Sequence, residues 1–372
     1  MKRVSIITII DNNNFGTFLQ AFALCKSIEA LGHKPELVNY CRPHMRPYKA
    51  WLNMCKEVKN PLRILFRSIG YLKSSLLHNK DLSFLSDYLS KKKCYSLAQI
   101  QRYITPADVY MTGSDQVWNS IHNKGIDKAF YLDYAPDSAK KVSYAASIGM
   151  PDFQEWEKAE TKRLLEPYNY ITLREETSVK IIESLGIESN KIEAVLDPTL
   201  LLTMEQWRGH IKLPRLYKEK YLLVYSVETK KQDAIINEVA QCVARERGLK
   251  IVGVYYGSEY NRIQCCDYNH FRATPEVFLS LLYYADFVVV SSFHGTAFAI
   301  NFEKEFYTVM PDRFNARVSN ILNITHLENR LIINEKQVKE SISQDIDYVS
   351  VARIISEERR KSMGILQKII EE

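Results

Sequence analysis

One short stretch of the chain combines three hydroxyls, a histidine and a glycine directly after an apolar run. It reads Val290-Ser291-Ser292-Phe293-His294-Gly295-Thr296. A helix that begins beside Gly295 would favour a phosphate or carboxylate at its N-terminus, and a histidine can donate or accept a proton near neutral pH. Ser292, Gly295 and Thr296 are therefore candidates for anion binding, and His294 for acid–base catalysis. The alternative is structural, with Ser292 capping the helix and His294 only its neighbour.

A second stretch gathers a carboxylate, amides, hydroxyls and an indole after the predicted strand Val109-Tyr110-Met111. It reads Thr112-Gly113-Ser114-Asp115-Gln116-Val117-Trp118-Asn119. This mixture suits recognition of sugar hydroxyls, with Asp115 as a base and with Gln116 and Trp118 in contact with the sugar or lining the cleft. An equally acceptable interpretation is that Asp115 caps the next helix and Trp118 fills a gap in the core.

The loop from Asp11 to Leu19 is a third candidate, because a glycine after a strand lets the backbone approach a ligand closely. Asn14 and Gly16 would contact the acceptor or line the cleft. The loop has a single glycine, so neither the dinucleotide fingerprint nor the Walker pattern is present. An ordinary turn between strand and helix is the alternative.

Arginines follow two further predicted strands. Arg174 comes directly after Ile171-Thr172-Leu173, and Arg313 and Arg317 lie beyond the strand that ends near Met310. A guanidinium there could bind a carboxylate or phosphate through two parallel hydrogen bonds. We expect Arg174 and Arg317 to bind such an anionic group, although Arg313 is close enough to replace Arg317. The alternative for Arg174 is a surface salt bridge.

The elements that carry these residues alternate between strand and helix. Val4 to Ile10 predicts a buried strand, a helical pattern follows, and Lys34 to Tyr40 predicts a second strand. A second such series begins at Tyr221. The pattern predicts an α/β fold with two Rossmann-like domains, 1–200 and 201–372, facing a cleft at the carboxyl ends of their strands. We expect a basic helical insertion at about 48–101 in the first domain and a C-terminal helix in the second.

Charge and cysteine content limit the classes of protein. The net charge is +6, but twelve Lys or Arg and three acids lie between Arg42 and Lys93. Such local basicity argues against a nucleic-acid surface across the fold. It fits either a solvated helical face or peripheral contact with an anionic membrane. The sequence has seven cysteines without CxxC spacing and no apolar stretch near 20 residues. These features predict a cytoplasmic protein, and contact through the basic segment would place it at the inner face of the membrane.

Together these stretches resemble the polysaccharide pyruvyl transferase family. The similar segments, in family order, are Asn14 to Leu24, Gly113 to Asn119, Lys141 to Ser147, Leu173-Arg174-Glu175, Leu196-Asp197-Pro198-Thr199 and Ser291 to Ala297. The resemblance implies a GT-B-like architecture, phosphoenolpyruvate as donor, a central role for His294 and arginines that hold the donor. It also implies a pyruvate ketal formed on a glycan or lipid-linked oligosaccharide acceptor, in surface or exopolysaccharide biosynthesis.

The residues show no metal cluster, and the chemistry requires neither a metal nor a cofactor besides the donor substrate. Two other functions fit the same fold. One is a GT-B-type glycosyltransferase that uses a nucleotide sugar, and the other is a non-catalytic protein that binds glycan or phosphate.

Overall fold

The computed structural model divides by its contacts into two compact units. The first unit is Met1–Pro198 with Met363–Glu372, and the second is Thr199–Ser362. The structure describes residues 1–372 except 12–13, 57–59, 67, 70–71, 73–81, 83, 228–229, 257–262, 312–315, 335–336 and 338–344.

A parallel sheet of six strands forms the centre of the first unit. The strands are β1 (Arg3–Ile7), β2 (Lys34–Leu37), β3 (Val109–Thr112), β4 (Lys140–Ala146), β5 (Tyr170–Leu173) and β6 (Ile192–Ala194). Their order is β2-β1-β3-β4-β5-β6. The chain therefore reverses its direction of travel across the sheet between β1 and β3. In open α/β sheets, ligands bind in the crevice at such a switch point.

Helices cover this sheet. They are α1 (Phe15–Ala30), α2 (Pro47–Lys56), α3 (Leu97–Tyr103), α4 (Ser120–Asn123), α5 (Glu155–Leu165) and α6 (Glu176–Ser184). Most of α1 is buried, because it carries apolar or small residues on nearly every face. Single 3-10 turns lie at Pro43–Met45, Lys128–Tyr131, Ser189–Lys191, Pro198–Leu200 and Glu328–Arg330.

The predicted basic insertion contains α2 and most of α3. Residues 61–66 are also helical, and Trp51 of α2 donates a hydrogen bond from Nε1 to Ser68 Oγ at 2.9 Å. Much of the rest of segment 48–101 lies outside the described residues. Arg42, the first cation of the basic segment from Arg42 to Lys93, is buried and pairs with Asp11 at 2.7 Å. Its charge is therefore neutralised inside the fold.

The second unit also has a parallel sheet of six strands. They are β7 (Tyr221–Tyr225), β8 (Lys250–Val254), β9 (Tyr268–His270), β10 (Phe287–Val290), β11 (Phe306–Val309) and β12 (Leu331–Ile332). Their order, β12-β11-β10-β7-β8-β9, is the Rossmann order, with its switch point between β7 and β10. The helices are α7 (Met204–His210), α8 (Lys230–Arg247), α9 (Pro275–Tyr284), α10 (Phe293–Asn301) and α11 (Ala316–Thr325). The two sheets confirm the predicted fold class of two Rossmann-like α/β domains.

The C-terminal helix α12 (Tyr348–Glu371) has contacts in both units. In the second unit, Arg359 donates to the carbonyl of Leu200 at 2.7 Å. The sequence analysis assigned the whole helix to the second domain, but Met363–Glu372 belongs to the first unit. There the Lys2 ammonium donates to the Ile370 carbonyl at 2.8 Å, satisfying a carbonyl of the last helical turn. No helix in the described ranges is long and apolar enough to cross a membrane.

Candidate active site

Asp115 lies at the switch point of the first sheet, where β1 and β3 end. Just beyond β1, Thr8 donates from Oγ1 to the Ser114 carbonyl at 2.6 Å. Thr17, in the first turn of α1, donates from Oγ1 to Asp115 Oδ2 at 3.4 Å. Asp115 has φ +74°, a left-handed conformation that aspartate adopts more readily than most residues but that still carries strain. The fold therefore holds this carboxylate in an unusual backbone conformation at the predicted ligand edge.

Arg174 is buried among three carboxylates at the same edge of the sheet. Its guanidinium lies 2.9 Å from Asp197, 3.1 Å from Glu175 and 3.8 Å from Asp115. Burial alone would lower the pKa of Arg174, but Glu175, Asp197 and Asp115 raise it above its ordinary value. Arg174 thus forms buried ion pairs, and the alternative of a surface salt bridge was wrong. Its predicted contact with the donor stays a prediction.

Hydroxyl groups complete this network. Ser114 donates to Asp197 Oδ2 at 3.0 Å, and Ser147 donates to Glu175 Oε1 at 2.8 Å. The sequence analysis did not single out Glu175 or Asp197. Each directly follows or lies near a strand end in a segment of the family resemblance, which is the signal that could have identified them.

The residues predicted to contact the acceptor make structural contacts. Asn14 caps α1 by accepting a hydrogen bond from the Gly16 N–H at 2.9 Å. Gln116 accepts a bond from Asn119 at 2.7 Å. Trp118 is buried and stacks on Tyr131, with ring centroids 5.7 Å apart. Trp118 thus packs in the core, which is the structural alternative given for it above. A contact with the acceptor stays a prediction for Asn14, Gly16, Gln116 and Trp118.

His294 lies at the switch point of the second sheet, where β7 and β10 end. Ser226 and Ser291, the residues directly after these strands, share a hydrogen bond of 2.9 Å between their Oγ atoms. Helix α10 begins at Phe293, two residues after Ser291, and His294 is its second residue. The residue is 5% exposed. The histidine is therefore held on a short, well-fixed connection between strand and helix.

The start of α10 is built from the other predicted residues. Ser292 caps the helix by accepting from the Gly295 N–H at 3.0 Å, so a ligand would compete with Ser292 for that donor. Thr296 donates from Oγ1 to the Ser292 carbonyl at 2.9 Å and shares a 2.9 Å hydrogen bond with Thr308 of β11. A Cβ on Gly295 would lie 2.9 Å from both Ser292 Oγ and Val290 Cγ1. Glycine thus allows α10 to pack closely on β10.

Arg317 is the second residue of α11 and is half-buried. This helix packs against α10, which carries His294. Arg313 falls within 312–315, outside the described residues. Across the described ranges, no group of three His, Cys, Asp or Glu side chains is arranged to hold a metal ion.

The first unit also contains a cavity of about 760 Å³ that the sequence analysis did not identify. Its lining includes Tyr40, Tyr48 and Tyr95 together with Arg46, Lys49 and Lys124. None of the predicted site residues lies among them. The high tyrosine content of the sequence was the available signal, but sequence alone does not distinguish core tyrosines from ligand-facing ones.

The chain is similar to a known family in its sequence and to several solved structures in its fold. The family model described as polysaccharide pyruvyl transferase matches residues 14–313. No curated protein matches the chain. Among solved structures, the UDP-GlcNAc 2-epimerase of Methanocaldococcus jannaschii is 12% identical over 93% of this chain and 93% of its own, with a TM-score of 0.55. The Neisseria meningitidis UDP-GlcNAc 2-epimerase bound to UDP-GlcNAc is 10% identical over 99% of each chain, with a TM-score of 0.52. These likenesses show the fold alone.

Proposed function

Because the chain belongs to the polysaccharide pyruvyl transferase family, we propose that it transfers pyruvate from phosphoenolpyruvate to two hydroxyls of a glycan. The enol carbon C3 takes a proton and becomes a methyl group, which leaves C2 electron-deficient. One sugar hydroxyl attacks C2 and gives up its proton. The C2–O bond to phosphate then breaks, and the second hydroxyl bonds to C2 and closes the ring, with its proton passing to the departing phosphate. The products are a pyruvate ketal and inorganic phosphate.

One observation carries this proposal: each of the two candidate proton-transfer residues stands at the switch point of its own sheet. His294 follows β10, and Asp115 follows β3. The roles we propose are protonation of C3 by His294 and orientation or deprotonation of the acceptor hydroxyl by Asp115. Both need fixed geometry, which the short connections after β3 and β10 supply.

The donor carries a phosphate and a carboxylate, so its site must supply positive charge. Arg317 and the N-terminal turn of α10 are the groups of the second unit that we assign to it. Arg174 is already paired with three carboxylates. We therefore propose that it is a positioning residue, which holds Asp115 in place.

The process we propose is the assembly of a surface or exopolysaccharide glycan of the cell envelope. All seven cysteines are free thiols in the structure. Free thiols fit a reducing compartment, so the cytoplasm is the proposed location, with phosphoenolpyruvate available as a metabolite.

A thermal-shift titration tests the donor. Phosphoenolpyruvate at a hundredfold excess over its dissociation constant should stabilise the protein by about 2.7 kcal/mol, whereas UDP-, GDP- and CMP-sugars should not. Arg317→Gln should weaken the response, and Arg353→Gln, an exposed arginine of α12, serves as the matched control. A response to a nucleotide sugar and none to phosphoenolpyruvate would replace this proposal with glycosyl transfer.

The reaction itself is followed with a panel of glycans in D₂O. Pyruvyl transfer through protonation of C3 places one solvent deuterium in the methyl group of the ketal, which mass spectrometry detects. Release of phosphate without a deuterated ketal would contradict the proposed reaction.

A further inference from the structure

The cavity of the first unit lies beyond the carboxyl end of β2. Its walls come from Tyr40, from α2 and the turn before it, from the start of α3, and from the loop after α4. Its volume of about 760 Å³ lies in the range of small-molecule sites. It is large enough for a sugar with one or two phosphates.

The walls of this cavity are positively charged. Among the described residues, no carboxylate lies within ion-pair distance of Arg46, Lys49 or Lys124, all of which line it. Lys128, a fourth lining cation, is paired with Glu160 at 2.7 Å. The acid in the lining, Asp127, accepts a hydrogen bond from the Tyr40 hydroxyl at 2.9 Å, and burial raises its pKa. The balance of charge therefore favours an anionic ligand.

Arg46 is pre-organised for such a ligand. Its guanidinium lies over the Tyr95 ring, 5.3 Å from the centroid, and Nη2 donates to the Tyr95 carbonyl. Within the part of the chain that the structure describes, its buried Nε has no hydrogen-bond partner. A buried N–H of this kind is costly unless an oxygen satisfies it. The guanidinium fork matches the geometry of an oxyanion such as a phosphate or a carboxylate, and the neighbouring lysines add the charge that a phosphate requires.

Tyrosines supply the remaining recognition surface. Tyr48 is 55% exposed, and Tyr95 is half-buried beside Arg46. A tyrosine presents an apolar ring face and a hydroxyl, which suit the carbon face and the hydroxyls of a sugar ring. Cations and tyrosines thus occur together in one cavity.

We propose that this cavity binds a phosphorylated sugar, with the phosphate on Arg46, Lys49 and Lys124 and the sugar against Tyr48 and Tyr95. Its assignment as the acceptor site, with the acceptor a glycan that still carries a phosphate or diphosphate, rests on the proposed function. The anion site itself rests on the geometry of the cavity.

The same region indicates where such a phosphate could come from. Leu52 lines the cavity and is 42% exposed. The helical residues that follow expose further large apolar side chains: Leu62, Leu65, Phe66, Ile69 and Leu72. Apolar side chains among cations suit the surface of a bilayer. A lipid-linked glycan diphosphate and a soluble sugar phosphate share the chemistry that the cavity recognises.

Calorimetric titration of the full chain with inorganic pyrophosphate and with N-acetylglucosamine 1-phosphate tests the site. Lys49→Gln and Lys124→Asn should each raise both dissociation constants about fivefold. Asparagine is chosen because Lys124 has φ +57°, a conformation asparagine tolerates. Lys34→Gln, an exposed lysine at the other end of β2, is the matched control and should bind as the wild type does. Tyr48→Ala should weaken binding of the sugar phosphate alone.

Two results would overturn the proposal. One is an unchanged dissociation constant for pyrophosphate in the Lys49→Gln, Lys124→Asn double variant. The other is displacement of pyrophosphate by phosphoenolpyruvate, which would make the cavity a donor site. Pyrophosphate binding that depends on these lysines, in a protein that does not respond to phosphoenolpyruvate, would support the cavity and contradict the proposed function. Failure of the cavity site and failure of the proposed pyruvyl transfer therefore give different results.

Flotation with phosphatidylcholine vesicles, with and without farnesyl diphosphate, distinguishes the two sources. Flotation that requires the diphosphate and is lost in the Lys49→Gln, Lys124→Asn double variant supports the site with a lipid-linked ligand. Binding of N-acetylglucosamine 1-phosphate without any flotation supports the site with a soluble one.

Discussion

Arg174 and Asp197 form a buried ion pair in the first unit, with Nη1 and Oδ2 2.9 Å apart and both residues almost fully buried. Asp197 Oδ2 also accepts a hydrogen bond from Ser114, which directly precedes Asp115. The pair therefore connects the ends of β3, β5 and β6. A buried charge without a partner is costly, so removing either residue of this pair should lower the stability of the fold by more than the loss of one hydrogen bond would.

Arg174→Gln should destabilise the protein by about 3–5 kcal/mol, because it leaves three carboxylates without their cation. Urea unfolding measures this loss. Arg163→Gln is the matched control, since Arg163 forms an exposed ion pair with Glu160 at 2.8 Å. Such exposed pairs contribute about 0–1 kcal/mol.

Asp115→Asn should separate the chemistry of Asp115 from its structural role. Asparagine tolerates the left-handed backbone at φ +74° and keeps the side-chain volume, so the melting temperature should stay close to that of the wild type. Pyruvyl transfer should fall by about 10²–10⁴-fold if the carboxylate acts as a base. Full activity in this variant would exclude Asp115 as the base.

The sequence predicted the elements that local patterns determine. The apolar run before Ser291 is a strand, and a helix follows it as expected, because strand and helix periodicities are local signals. The ion pair of Arg174 with Asp197 was not predicted, since Asp197 lies 23 residues away in sequence and meets Arg174 only through the pairing of β5 with β6. Tyr48 and Arg46 were likewise not recognised as cavity residues, because a cavity depends on tertiary packing.

His294→Gln should remove pyruvyl transfer while leaving the fold intact. The substitution keeps a polar side chain in the first turn of α10 but removes a group that transfers protons near neutral pH. Transfer should fall by about 10²–10⁴-fold, with near-ultraviolet circular dichroism unchanged. The deuterium content of the ketal methyl group provides a second measurement. Undiminished turnover in this variant would assign protonation of C3 to another residue.

Gly295→Ala tests whether the strand–helix junction holds His294 in place. The new Cβ would lie 2.9 Å from Val290 Cγ1 and from Ser292 Oγ, so either α10 must move away from β10 or the cap must open. Overpacking of this kind should destabilise the protein by about 1–3 kcal/mol. Gly364→Ala in α12 is the matched control, because a Cβ at that position would meet no neighbouring side chain within 4 Å. That change should stabilise the helix by about 0.5–1 kcal/mol. If both variants gain stability, close packing of α10 on β10 does not fix the position of His294.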